Sequence, residues 1–88
     1  MRTVILSLSA AAALDDAVAN PQFARVLDAW QGMEWRLCRR PTDGVPRRLG
    51  YHVYKQLGMR DLSIPTIVAL YTFDNHTVTI AALALYAV

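Results

Sequence analysis

The stretch IVALYTFDNHTVTIAALALYAV, residues 67–88, is almost wholly apolar and is broken only at Asp74-Asn75-His76. A membrane-spanning helix needs about 20 uninterrupted apolar residues, and an Asp at the bilayer centre is costly. Val, Ile and Thr favour strands, and Asp-Asn tolerates the positive φ of a two-residue hairpin turn. The stretch therefore predicts a hairpin of two strands, Thr66–Phe73 and Thr77–Tyr86, with its turn at Asp74-Asn75, and no membrane span.

Length and composition predict a single folded domain over residues 1–88. Apolar residues make up 55% of the chain and charged residues 18%, a balance that excludes a disordered protein. A chain this short builds one modest core, so part of its apolar surface is expected to face another chain.

Cysteine content bears on the compartment. The single cysteine, Cys38, permits no internal disulfide, so nothing indicates an oxidising compartment and we expect a cytoplasmic protein. Arg2 followed by residues 4–14 resembles a secretion signal with a cleavage site at 17–19. Asp15 and Asp16 interrupt that pattern before the site, which favours the cytoplasmic interpretation.

Upstream of the hairpin the pattern predicts a strand, two helices and one more strand. Residues 4–8 are predicted as the first strand, with a helix as the alternative because Ala-rich residues follow directly, and Ser9 is predicted to cap a helix over 10–19. Asn20-Pro21 begins a second helix that ends near Arg39-Arg40, before a loop at 41–46 and a strand over 50–57. The apolar stripe of this second helix consists of Phe23, Val26, Leu27, Trp30, Met33 and Leu37. The expected fold is α+β, with a short N-terminal strand, a two-helix hairpin and a three-stranded antiparallel sheet.

Two segments resemble a known family. EWRLCRRPTDGVP (34–46) resembles the helix end and loop, and IPTIVALYTFDNHTVTIAAL (64–83) the central hairpin, of the RelE/ParE superfamily of bacterial toxins. The resemblance implies a toxin of a toxin–antitoxin pair, held inactive by a cognate antitoxin. RelE-like members cut mRNA on the ribosome, and ParE-like members poison DNA gyrase. The chain departs from the ribonuclease branch at Val68, where an arginine would be expected, and in lacking a basic cluster at residues 85–88.

Candidate catalytic residues lie on the strand predicted over 50–57. RNA cleavage without a metal needs a base, an acid and cations for the phosphate, and His52, Tyr54 and Lys55 offer these groups. Strand alternation puts His52 and Tyr54 on one face and Lys55 on the other unless a bulge intervenes. The alternative is that these residues form a solvated outer face of the sheet.

The basic block at residues 36–60 is the clearest electrostatic feature, with seven basic residues against Asp43 alone. It predicts phosphate contact, which contributes affinity without reading sequence. Docking of an acidic antitoxin explains the block equally well. The candidate phosphate contacts are Arg40, Arg47, Arg48 and Arg60.

A partner surface is expected on the last strand. Simple alternation places Val78, Ile80, Ala82 and Ala84 on one face and Ala81, Leu83 and Leu85 on the other. One face packs on the helices, and the other is predicted to meet an antitoxin or a second copy at Leu83 and Leu85. Trp35 lies about 140° around its helix from Trp30, which leaves it for an edge or an interface.

Two further expectations concern ligands and function. His52, His76 and Cys38 lack metal-ligand spacing, so neither a metal nor a cofactor is predicted. The alternative to a toxin is a non-catalytic interaction domain that forms a homodimer or binds another protein.

Overall fold

The computed structural model describes residues 1–88 as two helices packed on one face of a five-stranded sheet. Neither helix has the length and apolarity that a membrane crossing requires. The strands lie in the order β1-β5-β4-β3-β2. The elements, in chain order, are β1 (Thr3–Leu6), α1 (Leu8–Ala19), α2 (Val26–Arg39), β2 (Val45–Pro46), β3 (His52–Gln56), β4 (Thr66–Phe73) and β5 (Thr77–Tyr86).

The predicted three-stranded antiparallel sheet is wrong, because the sheet is mixed and has two more strands. β1 pairs in parallel with β5, from Thr3 opposite Thr77 to Leu6 opposite Ile80. A parallel neighbour requires a long crossover, which α1, α2 and the strands after them provide. β2, expected as part of a loop, pairs with the start of β3 and follows the helices as an additional strand.

β4 and β5 have the predicted bounds, but the turn between them is longer than predicted. Three residues, Asp74 to His76, separate the strands instead of two. The Asp74 carboxylate accepts the backbone N–H groups of His76 and Thr77, each at 2.8 Å. These two hydrogen bonds favour the ionised form and hold the pKa of the Asp74 carboxyl below its usual value. The Asp74 side chain therefore closes a three-residue turn, in place of the two-residue Asp-Asn turn that the sequence predicts.

A β-bulge at Ala81 overturns the predicted faces of β5. Leu70 pairs with Ala82 whereas Tyr71 pairs with Ile80, so Ala81 is left unpaired. One extra residue shifts the alternation by one position and reverses every side chain beyond it. The predicted partner contacts Leu83 and Leu85 therefore point toward the helices. Leu83 is only 9% exposed and belongs to the core, and Leu85 packs against it.

The bulge is bound to the start of α1. The Ser7 hydroxyl donates to the Ala81 carbonyl at 2.8 Å, and the Ser9 hydroxyl donates to the same carbonyl at 3.2 Å. The Ser7 oxygen also accepts the Ala10 N–H at 3.1 Å, which makes Ser7 the N-cap in place of the predicted Ser9. The helix therefore begins at Leu8, two residues earlier than predicted.

α2 begins later than predicted, at Val26 instead of Pro21. Asn20 closes a turn through its side chain, which accepts the Gln22 N–H at 2.9 Å, and the chain enters α2 through a left-handed residue, Arg25. Leu27 was predicted to belong to the buried stripe, but it is exposed. The stripe on α2 that packs against the sheet consists of Val26, Trp30, Met33 and Leu37.

Gly58, in the loop between β3 and β4, and Gly32, on α2, give a matched test of how closely that loop packs on itself. A Cβ on Gly58 would lie 2.5 Å from the Pro65 carbonyl carbon, and backbone atoms cannot move aside, whereas a Cβ on Gly32 meets open space on α2. We expect Gly58→Ala to lower the free energy of unfolding by at least about 2 kcal/mol. Gly32→Ala should raise it by about 0.5–1 kcal/mol, because alanine loses less backbone entropy in a helix. Urea denaturation measures both, and equal stability of the two variants would contradict this packing.

Candidate nucleic-acid interface

The three predicted catalytic residues lie on β3 but on opposite faces of the sheet. β3 pairs with β4 without irregularity, from His52 opposite Tyr71 to Gln56 opposite Ile67, so alternation is strict. His52 and Tyr54 face the helix side and are half-buried, whereas exposed Lys55 lies on the other face opposite Val68. The structure therefore brings His52 and Tyr54 to one face and does not bring Lys55 to it. Of the three residues, Lys55 alone lies exposed on the face away from the helices.

On the helix side, His52 joins a row of aromatic rings with Tyr71 and Phe73, which we call the aromatic row. Its ring centroid lies 5.7 Å from that of Tyr71, nearly parallel, and 4.9 Å from that of Phe73. The His52 Nδ1 lies 3.3 Å from the Gly50 carbonyl. Donation to that carbonyl leaves Nε2 as the acceptor of the neutral ring.

Two arginines flank this half-buried surface. The Arg2 guanidinium lies 5.6 Å from the Phe73 ring centroid, and that of Arg36 lies 6.0 Å from the Tyr54 ring centroid. These are cation–π distances. Arg2 was missed by sequence reasoning because it is 71 residues from Phe73 in the chain. The parallel pairing of β1 with β5 is what brings Arg2 beside β4.

Tyr71 connects the aromatic row to the loop that follows α2. It is fully buried, its hydroxyl donates to the Pro41 carbonyl, and its oxygen accepts the Gly44 N–H at 3.1 Å. A Cβ on Gly44 would collide with the Tyr71 hydroxyl and lie 3.0 Å from the Val53 carbonyl, so only glycine fits there. Burial raises the pKa of the Tyr71 phenol, and the Gly44 N–H partly opposes that shift.

The arginines around this loop form what we call the basic rim, consisting of Arg36, Arg39, Arg40, Arg47 and Arg48. Asp43 forms ion pairs with two of its members, Arg36 at 3.8 Å and Arg40 at 3.4 Å. No acidic side chain lies within 4.0 Å of the other three. The rim therefore carries a clear excess of positive charge at the end of α2 and in the β2–β3 turn.

The β2–β3 turn presents the rim's outermost residues. The Arg47 N–H donates to the Tyr51 carbonyl at 2.7 Å and closes the turn, which includes exposed Arg48. Leu49 at its tip is 92% exposed and has a φ of 60°. A leucine in the left-handed region costs about 1–2 kcal/mol, and strain of this kind is concentrated at functional sites. The sequence did not identify Leu49 as a candidate residue. Its position between Arg48 and Gly50 was the only feature of the sequence that pointed to an exposed turn.

Trp35 and Arg60 occupy different surroundings. Trp35 is 60% exposed, and the Arg39 guanidinium stacks 4.1 Å from its ring centroid. The indole borders an open cavity of about 370 Å³ between α2 and the N-terminal residues. Arg60 donates to the Val88 carbonyl at 3.2 Å. It lies beyond the far end of β3, about 16 Å of strand away from the rim, so the structure separates Arg60 from the other predicted phosphate contacts.

The Tyr71 hydrogen bonds predict a pH-dependent stability. At neutral pH, Tyr71→Phe should lower the free energy of unfolding by about 1–3 kcal/mol, because the Gly44 N–H loses its partner. A raised folded-state pKa means that the stabilisation by the phenol is complete below pH 10, the ordinary tyrosine value, and is lost as the pH rises above it. The stability gap between wild type and variant should therefore narrow above about pH 10.

Chemical denaturation at a series of pH values measures that gap. Tyr86→Phe is the matched control, since Tyr86 is exposed and its hydroxyl forms no hydrogen bond within the chain. A gap that stays constant up to pH 11 would contradict the assigned hydrogen bonds.

Neither a metal site nor a known relative indicates the function of this protein. No group of three or more His, Cys, Asp or Glu side chains could hold a metal ion. No protein-family model, curated protein or solved structure matches the chain.

Proposed function

We propose that this protein is the toxin of a bacterial toxin–antitoxin pair, acts in the cytoplasm, and binds the phosphate backbone of RNA through its basic rim. The observation that carries this proposal is the excess of arginine around the loop fixed by Tyr71, with Arg39, Arg47 and Arg48 free of acidic partners. Arginine side chains that neutralise phosphates provide salt-dependent affinity for nucleic acid. The resemblance of residues 34–46 and 64–83 to RelE/ParE toxins supports the same function.

Aromatic surface beside the rim favours single-stranded RNA as the ligand. Bases of single strands stack on exposed aromatic rings and on arginine planes, which duplexes do not permit. Trp35, with Arg39 stacked on it, offers both surfaces next to the rim. Leu49 adds an exposed apolar contact at the tip of the β2–β3 turn.

Neutralisation by an antitoxin fits the same surface. A partner with acidic side chains over the rim would compete directly with phosphates, and charge complementarity of this kind accelerates association. Asp43 is the only acidic residue within residues 36–60, and its charge is already paired with Arg36 and Arg40. The cognate antitoxin is therefore proposed to be acidic where it contacts Arg47 and Arg48.

Cleavage of RNA is proposed to use one face of β3. His52 places an imidazole on the helix side of that strand, and an imidazole is the side chain that most often acts as a general base. Lys55 on the opposite face cannot reach the same phosphate. DNA gyrase is the alternative target, and a non-catalytic interaction domain is the alternative function, favoured by an apolar sheet face that no helix covers.

Binding to RNA can be tested through its salt dependence. Each phosphate contact in a single strand contributes about 0.7 to the slope of log K against log salt concentration. We expect the double variant Arg47→Gln/Arg48→Gln to bind a single-stranded oligoribonucleotide more weakly, with a slope shallower by about 1.4. Fluorescence anisotropy at several salt concentrations provides the measurement.

Arg25→Gln is the matched control for that experiment. Arg25 is also an exposed arginine, but it pairs with Asp28 at the start of α2, about 20 Å from the rim. Its loss should leave the slope unchanged. Equal effects of the control and the double variant would indicate that binding reflects net charge only and would contradict a localised interface.

Growth and cleavage assays test the toxin function. Induction in bacteria should arrest growth, co-expression of a cognate antitoxin should restore it, and the Arg47→Gln/Arg48→Gln variant should be less toxic at equal soluble expression. If mRNA is cut on the ribosome, His52→Ala should abolish the cuts and Lys55→Ala should leave them, since the two side chains lie on opposite faces. Primer extension on cellular mRNA detects such cuts.

Each outcome of these assays discriminates between functions. Unchanged growth at confirmed soluble expression would exclude the toxin function. Accumulation of DNA breaks without mRNA cuts would identify gyrase as the target. Cuts that persist in His52→Ala and vanish in Lys55→Ala would place the reaction on the outer face.

A further inference from the structure

The face of the sheet that points away from α1 and α2 is uncovered and apolar. Strand register aligns Val45, Val53, Leu70 and Ala82 in one row across β2, β3, β4 and β5. Val68 lies in the adjacent row, and Ile5 on β1 extends the same face and is half-exposed. We call this surface the outer face. Both helices pack on the opposite face, and the β3–β4 loop reaches the outer face only at its Thr66 end, where the Gly58 N–H donates to the buried Thr66 hydroxyl oxygen at 3.0 Å.

Its chemistry differs from that of a sheet face adapted to water. An antiparallel sheet with one solvated face normally alternates apolar and polar residues, with the polar ones outward. The outward positions here are filled by Val, Leu, Ile, Ala and Thr together with Tyr86, and Lys55 is the only charged side chain on this face of the five strands. Charged residues form 18% of the whole chain, so the outer face is depleted of charge. The largest apolar patch on a small protein is often functional.

We infer that the outer face is covered by a second copy of this chain, in a face-to-face dimer of two sheets. Strands about 4.8 Å apart make five strands about 20 Å wide, and the eight residues of β4 extend about 26 Å. Each copy therefore offers roughly 500 Å², or about 1,000 Å² in total. That area is about the minimum for a specific interface between two proteins.

Charge and shape favour a second copy as the occupant. A face that carries almost no charge presents nothing for an oppositely charged partner to recognise, whereas two identical neutral faces are complementary as they stand. With a two-fold axis along the central strand β4, β3 of one copy lies over β5 of the other. Lys55 then meets the small side chains of Ala82 and Ala84 of the second copy, over which its stem can extend to solvent. Sheets packed in this way lie about 10 Å apart, which Ala, Val and Thr side chains can fill.

The mass of the protein in solution tests the inference. At a protein concentration of about 100 µM, sedimentation equilibrium should give twice the 9.8 kDa chain mass. Val68→Glu should shift the protein to monomer by at least tenfold in Kd. Its carboxylate would lie beside Lys55 on the neighbouring strand, an arrangement that sheets favour, so the monomer should remain folded. Thr79→Glu, at an exposed position of the same face, should act in the same direction without touching the core.

Leu27→Glu is the control, because Leu27 is an exposed apolar residue on α2, on the opposite layer of the protein. It should leave the dimer mass unchanged. A monomer at 100 µM would overturn the inference, as would a dimer that withstands Thr79→Glu with native far-UV circular dichroism. A dimer lost in Leu27→Glu and retained in Thr79→Glu would move the interface to the helices. An oligoribonucleotide short enough to contact one basic rim should bind the monomeric Thr79→Glu variant as it binds wild type, so loss of the dimer and failure of the proposed RNA binding give different results.

Discussion

The hydrogen bonds from Ser7 and Ser9 to the Ala81 carbonyl are the interaction on which the rest of the fold depends. A β-bulge leaves a backbone group outside the ladder, and a buried group without a partner costs free energy. The two hydroxyls satisfy that carbonyl, and Ser7 simultaneously caps α1. The bulge, the helix start and the crossover from β1 are therefore stabilised together. Because the bulge reverses alternation within β5, it lets both halves of a ten-residue strand contribute to one core.

A second constraint holds the charged part of the molecule. Ion pairs among exposed side chains contribute little to stability, so Asp43 alone cannot fix the arginines around it. The buried Tyr71 hydroxyl does so through the backbone, by binding the loop on both sides of Asp43. The rim is thus attached to the centre of the sheet although its side chains extend into solvent. Such an arrangement presents arginines from a rigid base, which lowers the entropic cost of binding an anion.

The two exposed surfaces of the protein differ in chemistry and lie on different sides. The basic rim lies at the end of α2 and the β2–β3 turn, whereas the outer face lies across the sheet from the helices. A dimer through the outer face would leave both rims exposed and so double the number of phosphate contacts available to one strand. Two linked sites bind a long ligand with higher avidity than either site alone. Self-association and nucleic-acid binding are therefore compatible on this scaffold.

The sequence by itself determined the local features: the bounds of β4 and β5, the buried positions Trp30, Met33 and Leu37 on α2, and the basic block at residues 36–60. Strand propensity, helical spacing and charge are properties of neighbouring residues, so they can be read without a fold. Only the tertiary structure decided that β1 joins the sheet in parallel, that Ala81 bulges, and that no bulge in β3 brings Lys55 to the face of His52. Each of these depends on hydrogen bonds between residues far apart in the chain, such as that between Ser7 and Ala81. A one-residue shift in register leaves the amino-acid sequence of a strand unchanged. It nevertheless exchanges the buried and exposed faces of that strand, so the sequence alone does not reveal it.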